Sequence, residues 1–169
     1  MRILALACVA VLAVSCSSGP RLSQAFRADG VSVRYPDGWD ATSRPLTPVT
    51  DPVQVLAVAS YPLPRNDRGA DGRMPKRALD RLPRSGAFIF GWEVTGRPEA
   101  VPGSFPFQPR HFALTRLEDF ECLGRSYALW FREAGRYFQI HVALGPDAGS
   151  GTRKTVLRIL DSFSARAGR

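Results

Sequence analysis

Cys122, His111 and His141 are the side chains in this chain best suited to nucleophilic chemistry, since a thiol becomes a nucleophile when a neighbouring imidazole takes its proton. Nothing in their spacing brings them together, and a free cysteine is among the most buried residue types, so a structural thiol is favoured over a catalytic one. His141 alternates onto the face opposite Ile140 and Val142, beside Gln139, and is expected as a half-exposed strand residue. Gly124-Arg125-Ser126-Tyr127-Ala128 approximates the Gly-x-Ser-x-Gly nucleophile elbow. That elbow needs a strand before the serine and a helix after it; here a strand follows, and the elbow is rejected.

Two further groupings bear on binding. Ser150, Gly151, Thr152, Arg153 and Lys154 follow a strand and open a helix, so free backbone N–H groups beside two cations form a candidate anion-binding set. The spacing is not that of a nucleotide loop, and the plainer reading is a flexible connection with Ser150 or Thr152 as the N-cap. Phe105 and Phe107, in a proline-rich stretch, are either folded beneath it or presented as a partner-binding patch. Glu118, Asp119 and Glu121 lack the frame of six to eight oxygens that a calcium loop supplies, and a solvated turn is expected rather than a metal site. Glu93 ends an aromatic strand; it is either a carboxylate whose pKa burial raises or the partner of one of the many arginines. No catalytic set and no cofactor motif emerges.

The second cysteine with chemistry is Cys16. Residues 1–15 hold one basic residue, Arg2, then an apolar run from Ile3 to Val14, then Ala13-Val14-Ser15 before Cys16. An apolar run of 12 residues is too short to cross a hydrocarbon core that needs about 20 helical residues. It has the grammar of an export signal, and small residues immediately before a cysteine are the setting for lipid attachment. The motif resembles the lipobox of bacterial lipoproteins, with Ala13 where leucine is usual. The resemblance implies cleavage after Ser15 and a diacylglycerol on Cys16; an ordinary secretory signal with Cys16 incidental is the alternative. Two or more acyl chains anchor stably where one binds only marginally. The expected location is therefore the extracytoplasmic face of the cell membrane.

Removing residues 1–15 leaves 154, the size of one domain, which at that length buries about 70% of its unfolded surface without disulfides. The expected organisation is a signal over 1–15, a lipidated cysteine and flexible linker over 16–24, one domain over 25–164 and a tail over 165–169. The chain carries 23 Lys+Arg against 15 Asp+Glu, and loss of Arg2 lowers its net charge from +8 to +7. Lys76 and Lys154 are its only lysines. No Lys/Arg block alternates with a stacking aromatic array, which argues against nucleic acid. Positive charge beside anionic headgroups is instead worth about 1 kcal/mol per basic residue.

The elements that must position these residues follow from periodicity. Asp29-Gly30 joins strands over 26–28 and 31–35 as a type I′ turn, with Val31, Val33 and Tyr35 on one face. Tyr35-Pro36-Asp37-Gly38 suits a type I turn leading to Trp39. The run 53–61 is apolar on both alternating sets and predicts a strand covered on both faces. A long loop over 62–76 precedes a short helix over 76–82 that presents Leu79 and Leu82. Strand 87–94 places Phe88, Phe90 and Trp92 on one side. A second long loop spans 95–110, with a strand over 111–117 after it. Strands 126–133 and 137–144 form a hairpin, and helix 152–163 carries the stripe Val156, Leu157, Ile159, Leu160 and Phe163. The order predicts an α+β domain, a mainly antiparallel sheet of about six strands with packed helices.

The opening Val31-Ser32-Val33-Arg34-Tyr35-Pro36-Asp37-Gly38-Trp39, and the closing strand and helix through Leu160-Asp161-Ser162-Phe163, are similar to the ends of PsbP-like domains. The chain also resembles small actinobacterial lipoproteins of unknown function. The resemblance implies an α/β/α sandwich with a binding or assembly role and carries over no catalytic residue. Three functions follow as expectations. The first is a lipid-anchored, non-enzymatic domain binding a protein or an anionic envelope component. The second is a small-ligand or anion carrier, and the third an envelope thiol enzyme or hydrolase built on Cys122 and a histidine.

Overall fold

In a computed structural model, residues 19–47, 52–65, 75–95, 105–119 and 125–167 are described. The expected signal over 1–15, Cys16, Cys122, Glu121 and much of both long loops lie outside them.

The first hairpin pairs β1 (Gln24–Ala28) with β2 (Val31–Tyr35). Asp29 and Gly30 both have positive φ, 49° and 73°, as a type I′ turn requires. The following turn is displaced by one residue from the expected position. Trp39 N–H donates to Pro36 O at 3.3 Å, and Gly38 takes φ 79° at the third position, where glycine carries no Cβ penalty. Six strands then make the principal sheet: β3 (Asp40–Thr42), β4 (Val53–Ala59), β5 (Ala87–Val94), β6 (Leu117–Asp119), β7 (Arg125–Glu133) and β8 (Arg136–Leu144), in the order β3-β4-β5-β8-β7-β6 and antiparallel throughout. Helix α1 (Lys76–Asp80) and helix α2 (Ser150–Asp161) pack on it. The class is α+β.

Three expectations are corrected. The first hairpin does not join the principal sheet; with β9 (Ser164–Ala165) it forms a separate one of order β1-β2-β9. Residues 111–116 are not a strand, because Asp161 draws the chain aside by accepting from Phe112 N–H at 2.7 Å and seating the Phe112 ring in the core. Residues 19–24 are not a flexible linker. Arg158 Nη1 donates to Pro20 O at 2.8 Å, Arg34 Nη2 donates to Leu22 O at 2.9 Å, and Leu22 packs on the core.

Because β4 and β5 are apolar on both alternating sets, and β8 between β5 and β7 is buried on both, the principal sheet must be covered twice. On one face Leu56, Ile89, Ile140 and Val142 meet Val156, Ile159 and Leu160 of α2, together with Phe26, Val31 and Val33 of the small sheet. Phe131, Phe138 and Phe163 fill this core with ring centroids 5.1 to 5.5 Å apart. On the other face Phe88, Phe90 and Trp92 meet Leu46, Leu63 and Ala78. Tyr61 pins α1 there by donating its hydroxyl to Ala78 O at 2.5 Å. Each such large apolar side chain contributes about 1.5–3 kcal/mol when fully buried.

A charged clasp joins the two sheets. Arg136, 8% exposed, donates twice to Glu93, at 2.7 and 2.6 Å, and once to Arg166 O at 3.3 Å. Glu133 accepts from Ala165 N–H, and Arg166 N–H donates to Gly30 O, so β9 is held from both sides. The Glu93 hydrogen bonds hold Arg136 above its ordinary pKa. Glu93 is thus the partner of an arginine. Gly145 permits one more close approach: a Cβ there would lie 2.2 Å from the carbonyl oxygens of Pro83 and Arg84.

The β7–β8 hairpin turns through Ala134 and Gly135, at φ 52° and 75°. Ala134 therefore occupies a left-handed position that costs a non-glycine residue about 1–2 kcal/mol. Asparagine tolerates that conformation, and Asn-Gly is the preferred pair for such a turn. Ala134→Asn is expected to raise the unfolding free energy by about 0.5–1 kcal/mol, measured by urea denaturation; an unchanged or lower midpoint would count against the turn as described.

Candidate functional site

The outer edge of β7, past the short strand β6, meets the segment that carries the most exposed aromatic among the described residues. Pro106 O accepts from Arg132 N–H at 2.7 Å, and Gln108 N–H donates to Arg132 O at 3.0 Å, so the backbone around Phe107 is pinned to the strand. The Phe107 ring nevertheless stands 73% exposed, with the Arg132 guanidinium 4.0 Å from its centroid. Beside it opens a groove of about 490 Å³, lined by Pro106, Pro109, Phe112, Leu129 and Trp130. Phe105 takes the opposite course. It is half-buried, edge-on to Trp130 at 5.3 Å and to Tyr137 at 5.4 Å. The two phenylalanines grouped by sequence are thus divided, one packed and one presented. The Trp130 Nε1–H is buried at the floor of this region with no hydrogen-bond partner among the described residues.

The candidate anion set is also divided. The helix begins at Ser150, two residues earlier than expected, and its N-cap is Gly149, without a side-chain cap. Neither Ser150 nor Thr152 caps it, because the Thr152 hydroxyl is turned away to Ser85 O, to which it donates at 3.2 Å. Arg153 leaves the helix start for Tyr127, donating to its hydroxyl at 2.8 Å with the guanidinium over the ring. Ser150, Gly151, Thr152 and Lys154 remain together along a groove of about 730 Å³ between α2, Trp39 and residues 19–20.

The two histidines lie apart. His111 is exposed and contacts Asp161 at the end of α2, with Nδ1 3.2 Å from the carboxylate. His141 is 1% exposed on the other face of the sheet, which overturns the expectation of a half-exposed residue. That expectation assumed one solvated face, whereas both are covered. Its ring meets Gln139 at 2.8 Å and Ser126 Oγ at 3.3 Å, with the Trp92 ring edge-on at 5.4 Å. Burial lowers its pKa to about 4, so it is a neutral imidazole at ordinary pH. Ser126 is fully buried beside it, inside β7, so no elbow is formed. Ser126 and His141 therefore touch without a route for substrate. The register that pairs Ala128 with His141 makes Ser126 its diagonal neighbour. A two-residue turn at Ala134-Gly135 would have disclosed this contact from sequence.

Among the described residues no cluster of His, Cys, Asp or Glu is arranged to hold a metal ion, and no helix is long and apolar enough to cross a membrane. Compared with known proteins, the sequence matches no family model and no curated protein.

A histidine whose folded pKa lies below its unfolded value of 6.5 binds its proton more readily in the unfolded chain. Its contribution is complete above pH 6.5, falls by about 1.4 kcal/mol per pH unit between 6.5 and 4, and levels off below. The stability difference between wild type and His141→Gln, followed by denaturant titration from pH 7.5 to 4, is expected to shrink over that window. Parallel pH profiles for the two proteins would contradict the buried neutral imidazole.

Proposed function

We propose that this chain is an extracytoplasmic lipoprotein, held at the cell membrane by acyl chains on Cys16, whose single domain is a non-enzymatic binding module. Its partner is a protein or an anionic envelope component, met at the β7 edge around Phe107. The observation that carries the binding role is the combination of 73% exposure with a backbone pinned on both sides of the ring. An aromatic held out on a hydrogen-bonded backbone binds without an ordering cost, and such anchors dominate interface energies. Arg132 under the ring favours a surface with negative charge.

The proposed fine architecture is the α/β/α sandwich of PsbP-like domains. It is supported by α2 on one face of the principal sheet and α1 on the other. The anchor reading rests on the apolar run followed by Ala13-Val14-Ser15-Cys16.

Photocrosslinking in native membranes tests the proposal, with a photoreactive phenylalanine analogue at position 107 and a control at the half-exposed Val53 on β4. The expected result is one discrete adduct at 107, none at 53, and its loss on Cys16→Ser, which releases the protein from the membrane. Phe107→Ala is expected to weaken partner capture about tenfold, the effect of about 1.4 kcal/mol at an interface anchor, without lowering thermal stability. Equal crosslinking at both positions, or unchanged membrane partitioning of Cys16→Ser, would defeat it.

A further inference from the structure

The segment that follows Cys16 is seated on a particular side of the domain. Gly19 and Pro20 lie against α2, where Arg158 Nη1 holds Pro20 O, and with Trp39, Lys154, Leu157 and Arg158 they line the groove of about 730 Å³. Two residues separate Cys16 from Gly19, three steps along the chain, and an extended chain advances at most about 3.3–3.6 Å per step. Whatever path residues 16–18 take, an acylated Cys16 therefore lies within about 10 Å of the mouth of this groove. The same side is basic. Arg34 and Arg158 grip the carbonyls of Leu22 and Pro20, Arg21 stands exposed between them, and Lys154 projects one helical turn before Arg158. Three carboxylates lie on adjoining elements, each hydrogen-bonded away from the groove but still charged, against the four cations: Asp37 accepts from Gln24, Asp40 from Leu63 N–H, and Asp161 from Phe112 N–H. Trp39 is half-buried, packed against the core on one side while it walls the groove on the other.

From this placement we infer that the face formed by residues 19–21, Trp39 and the Lys154–Arg158 turn of α2 docks on the bilayer that holds the anchor, with an anionic phospholipid seated in the groove. The inference rests on acylation of Cys16 and deepens that reading by fixing which surface meets the membrane. The chemistry matches on three counts. An indole that is apolar in body and polar at its edge settles at the headgroup level. Basic residues at an anionic surface strengthen attachment about fivefold each, within a Debye length of about 8–10 Å. The covalent anchor leaves the domain too little chain to stand off. The Phe107 segment is paired with β7 and reaches the C-terminal end of α2 through Gln108 and Phe163 O, whereas the groove lies along residues 150–158, so Phe107 stays available to a partner.

The test uses the acylated mature chain in vesicles of phosphatidylglycerol and phosphatidylcholine whose acyl chains carry bromine close to the headgroup. Bromine quenches only indoles that reach the interface. Tryptophan emission is expected to fall on anionic vesicles, the fall to disappear in Trp39→Phe, and the double variant Arg21→Glu, Lys154→Glu to reduce it at least fivefold. Pure phosphatidylcholine, or salt near 1 M, is expected to give the same reduction. Acylated protein that remains on the vesicles with Trp39 unquenched would overturn the docking face while leaving the anchor intact. A mature N-terminus whose mass lacks acyl chains would remove the anchor and the docking face together. Quenching that persists in Trp39→Phe would assign the contact to another surface and likewise overturn the inference.

Discussion

The constraint on which the structure depends is that β4, β5 and β8 are buried on both faces. A sheet whose interior strands carry Ile89 and Ile140 on one side and Phe88, Phe90 and Trp92 on the other cannot leave either face to water. Each layer of the molecule answers this requirement. The α2 helix and the three-stranded sheet close one face, and α1, Tyr61 and the segments around Leu46 and Leu63 close the second. His141 shows the cost of double coverage: a polar residue in the alternating pattern is carried inside, loses its proton affinity, and is accommodated by Gln139 and Ser126.

Double coverage also decides where function can reside. With both faces of the sheet occupied, surfaces available among the described residues include the outer edge of the sheet and the outer side of α2. The β7 edge presents Phe107 on a pinned backbone, and the outer side of α2 receives the start of the domain. The grooves at these two surfaces share no lining residue. In the proposed arrangement one surface faces the bilayer and the other faces a partner, so anchoring and recognition do not compete. The Arg136–Glu93 clasp matters here because it fixes the small sheet, and with it residues 19–24, to the principal sheet. Breaking one partner of such a buried pair typically costs about 3–5 kcal/mol, since the other charge is left uncompensated.

Local patterns disclosed much of this fold and little of its assembly. Asp29-Gly30, the alternation across Phe88, Phe90 and Trp92, and the β7–β8 hairpin are determined within a few residues, and the structure forms them where their periodicity requires. The placement of Ser164 and Ala165 as a strand was not legible, because two residues have no pattern and owe their conformation to Glu133 and Arg136, about 30 positions away. The detour of residues 111–116 depends likewise on Asp161. Among candidate site residues, the exposure of Phe107 and burial of Phe105 are set by which one meets Trp130 and Tyr137, a tertiary choice. The Arg153 contact with Tyr127 is of the same kind. Ser126 beside His141 was legible in principle, through the hairpin register.

Native-state hydrogen exchange measures the central constraint most directly. If both faces are closed around one sheet, the amides of β5, β8 and α2 must open together, with a shared free energy equal to that of global unfolding, as the most protected set in the chain. Exchange of β5 or β8 at a lower free energy than α2, without global unfolding, would mean that one face opens on its own and would contradict a fold organised by double coverage.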